Sequence, residues 1–436
     1  MGQEAVAGSS GGLRGARVAH AAGAPTAWPM PVNTPRASDR FRGCSERADH
    51  LEVAPGPAGG HHGLREQGSR AGGERAFTLT VQNFRGLRRV EWSPSGVCAL
   101  VEPNGSGKTT LIDVLQVLQD TRAQGFAKAI EEHGGAYGMR FFGAPESEPV
   151  VFKLQVGDFA WELRPHLSMK QGGAQVVTSE ELFLEGLPMV AFPELGGGSK
   201  LSLDHPSLLR VGTEPLEEVI SGYRHYRHYV LPNLRHEGSR LGGDLRLVRD
   251  GSNLFTVLMN WRNRRDHKDR LDFVTRTLKQ CFPGLFADFS FPIAANIVAC
   301  EVHSSSDTTL IPSLLPDGFL VMLLHLCAIA SAPPGSTIAI DEPENALHPF
   351  AIRRLMDAAR EWSDAHAVTV LLATHSPVIL DTFKELPDKV FVMEPGHEVL
   401  PVSLDRIKGR DWLAHFSLGD LYEHLEYGAP AGVDEE

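Results

Sequence analysis

Cysteine is scarce in this chain: Cys44, Cys98, Cys281, Cys300 and Cys327 are the five among 436 residues, and no two form a Cys-x-x-Cys pair. That spacing speaks against a zinc ribbon or a disulfide framework and fits a reducing compartment, so a cytoplasmic location is expected. Long apolar runs are also missing. The longest apolar helix candidate, "FLVMLLHLCAIA" at 319–330, is interrupted by His325. It is shorter than the roughly 20 residues a bilayer span needs, so it reads as a buried helix and no membrane partner is expected. Positive charge is in deficit. A formal net charge of -12 argues against coating nucleic acid with the whole surface and leaves room only for a local basic patch. Neither internal repeats nor sustained heptads occur, which excludes a solenoid and a long coiled-coil arm. Nothing resembles an H-N-H cluster, so any nucleic-acid cutting would need another chain.

What is present is enough apolar material for a sizeable core, 42% against 22% charged, distributed unevenly. Residues 1–75 are rich in Gly, Ala, Arg and Pro and keep neither helical nor strand periodicity; they read as a disordered extension, or as residues upstream of the true start. Order is expected from Phe77. "FTLTVQNF" and "RRVEW" alternate as strands, and "VCALV" is a short apolar strand running into a glycine loop and then into the helical spacing of Leu111, Val114, Leu115 and Leu118. The part from 76 to 125 is one piece of a core domain. Residues 126–305 are mixed, with a hairpin in "PVVFKLQVGDFAWELRP" and a helix over 269–282, and read as an inserted α/β lobe. From 306 to 400 strands and helices alternate, which predicts a largely parallel sheet covered on both faces. A C-terminal extension, 401–436, ends in an acidic tail.

Three stretches carry chemistry. The first is "EPNGSGKT", 102–109. It departs from G-x-x-x-x-G-K-[ST] only in having Glu102 at the first position. Strand, glycine loop and helix present backbone N–H groups and a helix N-terminus to phosphate. Asn104, Gly105, Ser106, Gly107, Lys108, Thr109 and Thr110 are the candidate nucleotide contacts. Lys108 is the point charge for the outer phosphates, and Thr109 offers a hydroxyl to Mg²⁺. The side chain of Glu102 is expected to turn away from the loop and to weaken or reshape the site. The second stretch, "TIAIDEPENALHP" at 337–349, delivers two carboxylates from the end of an apolar strand, where doubly wound sheets bind ligands. Asp341 is expected to orient Mg²⁺ and Glu342 to polarise the attacking water. In the third, "LLATHSPVI" at 371–379, another apolar strand ends just before His375, which can meet a γ-phosphate oxygen or hold that water.

Together these stretches resemble the ABC-type ATPases related to RecF and the chromosome-maintenance proteins, in particular the compact AAA_21 group, over about 77–395. "LTVQNFRGLRRVEW" is similar to that family's opening hairpin, and "RDGSNLFTVLMNW" at 249–261 to one of its internal segments. The resemblance implies an α/β fold of the P-loop NTPase, ABC ATPase head type, with an inserted side lobe. It also implies ATP and Mg²⁺ as cofactors, catalysis at Lys108, Glu342 and His375, and metal binding at Thr109 and Asp341. Relatives show L-S-x-G before the buried helix, which meets the nucleotide held by a second subunit. Here Leu315, Pro316, Asp317 and Gly318 occupy those places. Pro316 has neither hydroxyl nor N–H, so Gly318 is the remaining candidate contact and slow turnover is expected. Gln155 is a weak candidate for the family's glutamine switch.

The expected mechanism is a homodimer that closes head to head around ATP-Mg and couples binding and hydrolysis to action on DNA or on a partner effector protein, as in DNA repair or phage defence. The alternative is a nucleotide-gated assembly module with little turnover that controls a toxin or nuclease partner. DNA is a candidate ligand because basic and aromatic residues interleave in "YRHYRHYVLPNLRHEGSRL", 223–241, and "WRNRRDHKDR", 261–270.

Overall fold

The computed structural model describes residues 77–102, 107–141, 143–145, 148–170, 173–196, 213–227, 229–394, 397–424 and 427. The extension at 1–75 and the end of the acidic tail therefore lie outside the described residues. In chain order the first strands are β1 (Phe77–Phe84), β2 (Leu87–Trp92) and β3 (Val97–Val101), followed by helices α1 (Lys108–Gln124) and α2 (Phe126–Glu132). Strands β4 (Val151–Val156), β5 (Phe159–Lys170), β6 (Gly173–Leu184) and β7 (Leu187–Gly196) come next. Helix α3 (Glu214–Gly222), strand β8 (Arg224–Tyr226), helix α4 (Leu231–His236) and the short β9 (Ser239–Arg240) lead to α5 (Leu254–Asn263) and α6 (Lys268–Cys281). Small ladders follow in β10 (Asp288–Ser290), β11 (Ile293–Ala294), β12 (Ile297–Val298), β13 (Glu301–His303) and β14 (Thr309–Leu310). The last part comprises α7 (Asp317–Ser331), β15 (Thr337–Asp341), α8 (Pro349–His366), β16 (Thr369–Ala373), α9 (Pro377–Asp381), β17 (Val390–Val392) and β18 (Val402–Ser403), then α10 (Leu404–Ile407), α11 (Arg410–Leu413) and α12 (Leu418–Glu423).

Two six-stranded sheets organise these elements. One is antiparallel, in the order β2-β1-β4-β5-β6-β7, and the other runs β18-β17-β3-β16-β15-β8. The second is parallel except for its edge strand β18. Its inner strands are apolar throughout because both faces are covered. Along β3, Val97, Ala99 and Val101 enter one core while Cys98 and Leu100 enter the other; β15 and β16 alternate in the same way. The first core holds α5, α6, α7 and α8. The second holds α1, α3 and the inner face of the antiparallel sheet. Helix α7 is buried along nearly its whole length, His325 included, as its mostly apolar composition requires. No helix among the described residues is long and apolar enough to cross a membrane.

Strands from residues 126–305 enter both six-stranded sheets. Strands β4 and β5 continue the sheet begun by β1 and β2, and β8 joins the parallel sheet beside β15. Helices α5 and α6 enter the larger core. The segment after 400 is also fastened down: β18 pairs with β17, and Leu404, Leu413, Leu418 and Leu421 are buried in that core. The basic and aromatic stretches turn out differently from the expected stacking surface. Tyr223, Tyr226 and Trp261 are core residues, and their polar atoms bond to the backbone carbonyls of Ile112, Leu247 and Leu245. In the strand formed by "RHY", the adjacent His225 and Tyr226 point to opposite faces and both are buried because both faces are covered, while Arg227, Arg262, Arg264 and Arg265 remain exposed.

Candidate functional site

Parallel strands end together, and the registers Asp341↔Ala373 and Ala373↔Leu100 put the last residues of β15, β16 and β3 side by side. Glu102, Asp341, Glu342 and His375 therefore leave one edge of the sheet, facing the start of α1. Lys108, Thr109 and Thr110 form the first turn of that helix. Gly107 caps it with a φ of 118°, in the left-handed region that favours glycine. Asn104, Gly105 and Ser106 lie outside the described residues.

Lys108 is buried, and its Nζ lies 2.6 Å from His375 Nε2. Burial pushes the Lys108 pKa down, while Glu102, Asp341, Glu344 and Glu342 pull it back up. His375 is also lowered, first by burial and then by the Lys108 charge, so it sits beside the ammonium as a neutral imidazole at neutral pH. The side chain of Glu102 turns inward, contrary to expectation. It is buried, and its Oε2 accepts the backbone N–H of Lys108. The cause is electrostatic: the N-terminus of α1 and the Lys108 ammonium both attract a carboxylate.

Asp341 Oδ2 lies 3.2 Å from His225 Nε2 and 3.5 Å from Arg227 Nε. The His225 contact is close but not aligned as a hydrogen bond, since Nε2 has no hydrogen-bond partner. His225 Nδ1 is 3.6 Å from Asp113 Oδ1, so this buried imidazole stands between two carboxylates. Asp341 Oδ1 is buried without a hydrogen-bond partner. A buried, unsatisfied carboxylate oxygen at the end of β15 is a hard-oxygen donor of the kind that suits Mg²⁺. Glu342 has a φ of 48°, a left-handed bend that carries its side chain off the sheet. Its N–H donates to the Ala373 carbonyl at 2.8 Å, and its Oε2 accepts from Asn345 Nδ2 at 2.7 Å.

Two contributors were not anticipated. Glu344 accepts from Thr374 Oγ1 at 2.9 Å and from the His375 backbone N–H at 3.0 Å, which ties the carboxylate loop to the histidine loop. The third acid of "DEPEN" was the available signal for it. Tyr422, in the C-terminal extension, places its hydroxyl 2.8 Å from His375 Nδ1 and 3.3 Å from the Glu102 carbonyl oxygen. Nothing in the sequence pointed to it. Gln155 donates to the carbonyl of Gly157. Pro316 caps α7, Asp317 pairs with Arg235, and a Cβ on Gly318 would come within 2.6 Å of the Ala346 carbonyl oxygen. Gly318 thus allows α7 to pack against the loop that follows Glu342.

Residues 237–381 match the family AAA_21, described as "AAA domain, putative AbiEii toxin, Type IV TA system". This stretch includes Asp341, Glu342 and His375 but neither Lys108 nor Tyr422. Among solved structures, the chain is similar to an SMC head domain from Thermotoga maritima, at 14% identity and a TM-score of 0.36, covering 73% of this chain and 94% of that one. It is also similar to an SmcHead bound to the C-winged helix domain of ScpA, at 13% identity and a TM-score of 0.39, covering 73% and 93%. No curated protein matches.

Proposed function

We propose that the chain binds ATP with Mg²⁺ at the shared edge of β3, β15 and β16 and hydrolyses it slowly, in a pair of copies that close head to head. The observation that carries this reading is the convergence of Lys108, Asp341, Glu342 and His375 on that edge. Four carboxylates, Glu102, Asp341, Glu342 and Glu344, act on the single ammonium of Lys108. Such a site repels a polyphosphate unless a cation comes with it. When bound, Mg²⁺ would be held by Thr109 and Asp341 and would neutralise phosphate charge. Lys108 then holds the outer phosphates. Glu342, exposed and bent out of the strand, takes the proton of the attacking water. His375, next to Lys108, steadies the transferred group. A second copy contributes its Gly318 region, and the reaction drives action on DNA or on an effector protein.

The second reading, a nucleotide-gated module with little turnover that restrains a toxin or nuclease partner, is favoured by Glu102. Its carboxylate already satisfies a backbone N–H at the helix start. The toxin-system wording of the AAA_21 description supports looking for such a partner. The deciding experiment is ATP uptake by calorimetry with and without Mg²⁺, together with phosphate release and light scattering, on the wild type and on Glu342→Gln. Magnesium-dependent uptake, phosphate release reduced by about 100-fold or more in Glu342→Gln, and ATP-dependent dimers of that variant are expected. DNA-stimulated release favours the first reading, and tight dimers without release the second. Absence of uptake defeats both.

A further inference from the structure

We propose that Tyr422, on the C-terminal helix α12, is a positioning residue for His375: its hydroxyl steers the imidazole and, being both donor and acceptor, lets the ring face either Lys108 or a phosphate oxygen. This rests on the nucleotide-binding reading above. The contacts allow one consistent assignment of hydrogens. The Lys108 ammonium only donates, so His375 Nε2, 2.6 Å away, accepts. The ring proton then sits on Nδ1 and points to the Tyr422 oxygen at 2.8 Å. The Tyr422 O–H is left to donate to the Glu102 carbonyl oxygen at 3.3 Å. Lys108, His375, Tyr422 and Glu102 thus form one directed chain.

An ionised phosphate oxygen accepts only, so to meet it the ring must carry its proton on Nε2. Nδ1 then becomes an acceptor and requires a donor. The Tyr422 hydroxyl meets this need by rotating from the Glu102 carbonyl to Nδ1. In the exchange, Nδ1 releases one proton to solvent and Nε2 takes one up, so the ring remains neutral. A carboxylate at this place would hold the proton on Nδ1, and a phenylalanine would hold neither form.

The hydroxyl is firmly placed. Asp381, at the end of α9, accepts from Ser417 Oγ at 2.6 Å and from the Gly419 N–H at 2.9 Å. Helix α12 is thereby clamped to the helix that begins two residues after His375. Tyr427, buried below, donates its hydroxyl to the Leu418 carbonyl at 2.7 Å.

The test uses the full chain with ¹⁵N-labelled histidine. Without nucleotide, the His375 ring is expected to show the Nδ1–H tautomer in the wild type and to lose that preference in Tyr422→Phe. An Nε2–H ring in the wild type, or a Tyr422→Phe spectrum unchanged at His375, overturns the proposal. The second arm is steady-state hydrolysis. Tyr422→Phe is expected to lower kcat about 10-fold with KM for ATP changed less than about 2-fold, and to have no further effect in a His375→Gln background. An equal loss in that background means a merely structural role and overturns the proposal. Failure of the wild type to take up ATP in calorimetry defeats the nucleotide reading instead, and the tautomer arm still decides the Tyr422–His375 coupling.

Discussion

Glu102 is the residue at which this site departs furthest from its pattern, and its inward turn gives the departure a function. A phosphate approaching the start of α1 must displace the Glu102 carboxylate from the Lys108 N–H and then endure its charge. Neutralising it should therefore help the nucleotide. Glu102→Gln is expected to tighten ATP binding about 5- to 10-fold, roughly 1–1.4 kcal/mol, as read by calorimetric titration; weaker binding would show that the carboxylate instead props the loop open for ligand. Most of the site was visible in single residues because each motif is local: Lys108 follows its glycines, and Asp341 and His375 each stand at the end of an apolar strand. Glu344 left only a faint trace, as the third acid of its motif, and His225 left none. Their partners Thr374, Asp113 and Asp341 become neighbours only when separate strands and α1 are assembled.

At the scale of elements, α12 is held by close approach as well as by capping. A Cβ on Gly419 would meet the Pro377 carbonyl oxygen at 2.7 Å and the Pro377 Cβ at 2.8 Å. Gly419→Ala should therefore push α12 off the start of α9, destabilising by about 1–3 kcal/mol as overpacked contacts do and moving Tyr422 away from His375. Faster amide exchange confined to α12 and lower hydrolysis would report this. Gly409→Ala is the control, because a Cβ there has no neighbour within 4 Å, and it should change neither. The elements themselves were largely legible. "VCALV", "STIAI" and "VTVLLAT" are apolar runs too short for helices and became β3, β15 and β16. The exception was "YRHYRHY". Its aromatic and basic alternation suggested an exposed patch, whereas cover on both faces of the sheet buries the adjacent His225 and Tyr226 beside β15.

For the molecule as a whole, a buried histidine makes stability depend on pH. His325 lies inside α7 with its Nδ1 3.1 Å from the Tyr229 hydroxyl. Burial holds it down to about 4 from an ordinary 6.5, weakly opposed by the Pro343 carbonyl. Above pH 6.5 the ring is neutral in the folded and unfolded chains alike. As pH falls from 6.5 towards 4 the unfolded chain takes up the proton first, so the folded state loses about 3 kcal/mol across that window. His325→Gln, which keeps a partner for Tyr229, should flatten that part of the dependence in urea midpoints measured at pH 7 and pH 4.5. A variant as steep as the wild type would place the titration elsewhere.

The sequence by itself determined the doubly covered parallel sheet, the glycine loop opening a helix, and the acids and histidine at the strand ends. These follow from period and from neighbours a few residues apart. Only the tertiary structure decided that Glu102 turns inward, that residues 126–305 contribute to both sheets, and that Tyr422 reaches His375. The physical reason is range. The Tyr422 contacts span 47 and 320 residues, and a hydroxyl group leaves no periodic trace in a sequence; its partner is chosen by where α12 finds a face to bury.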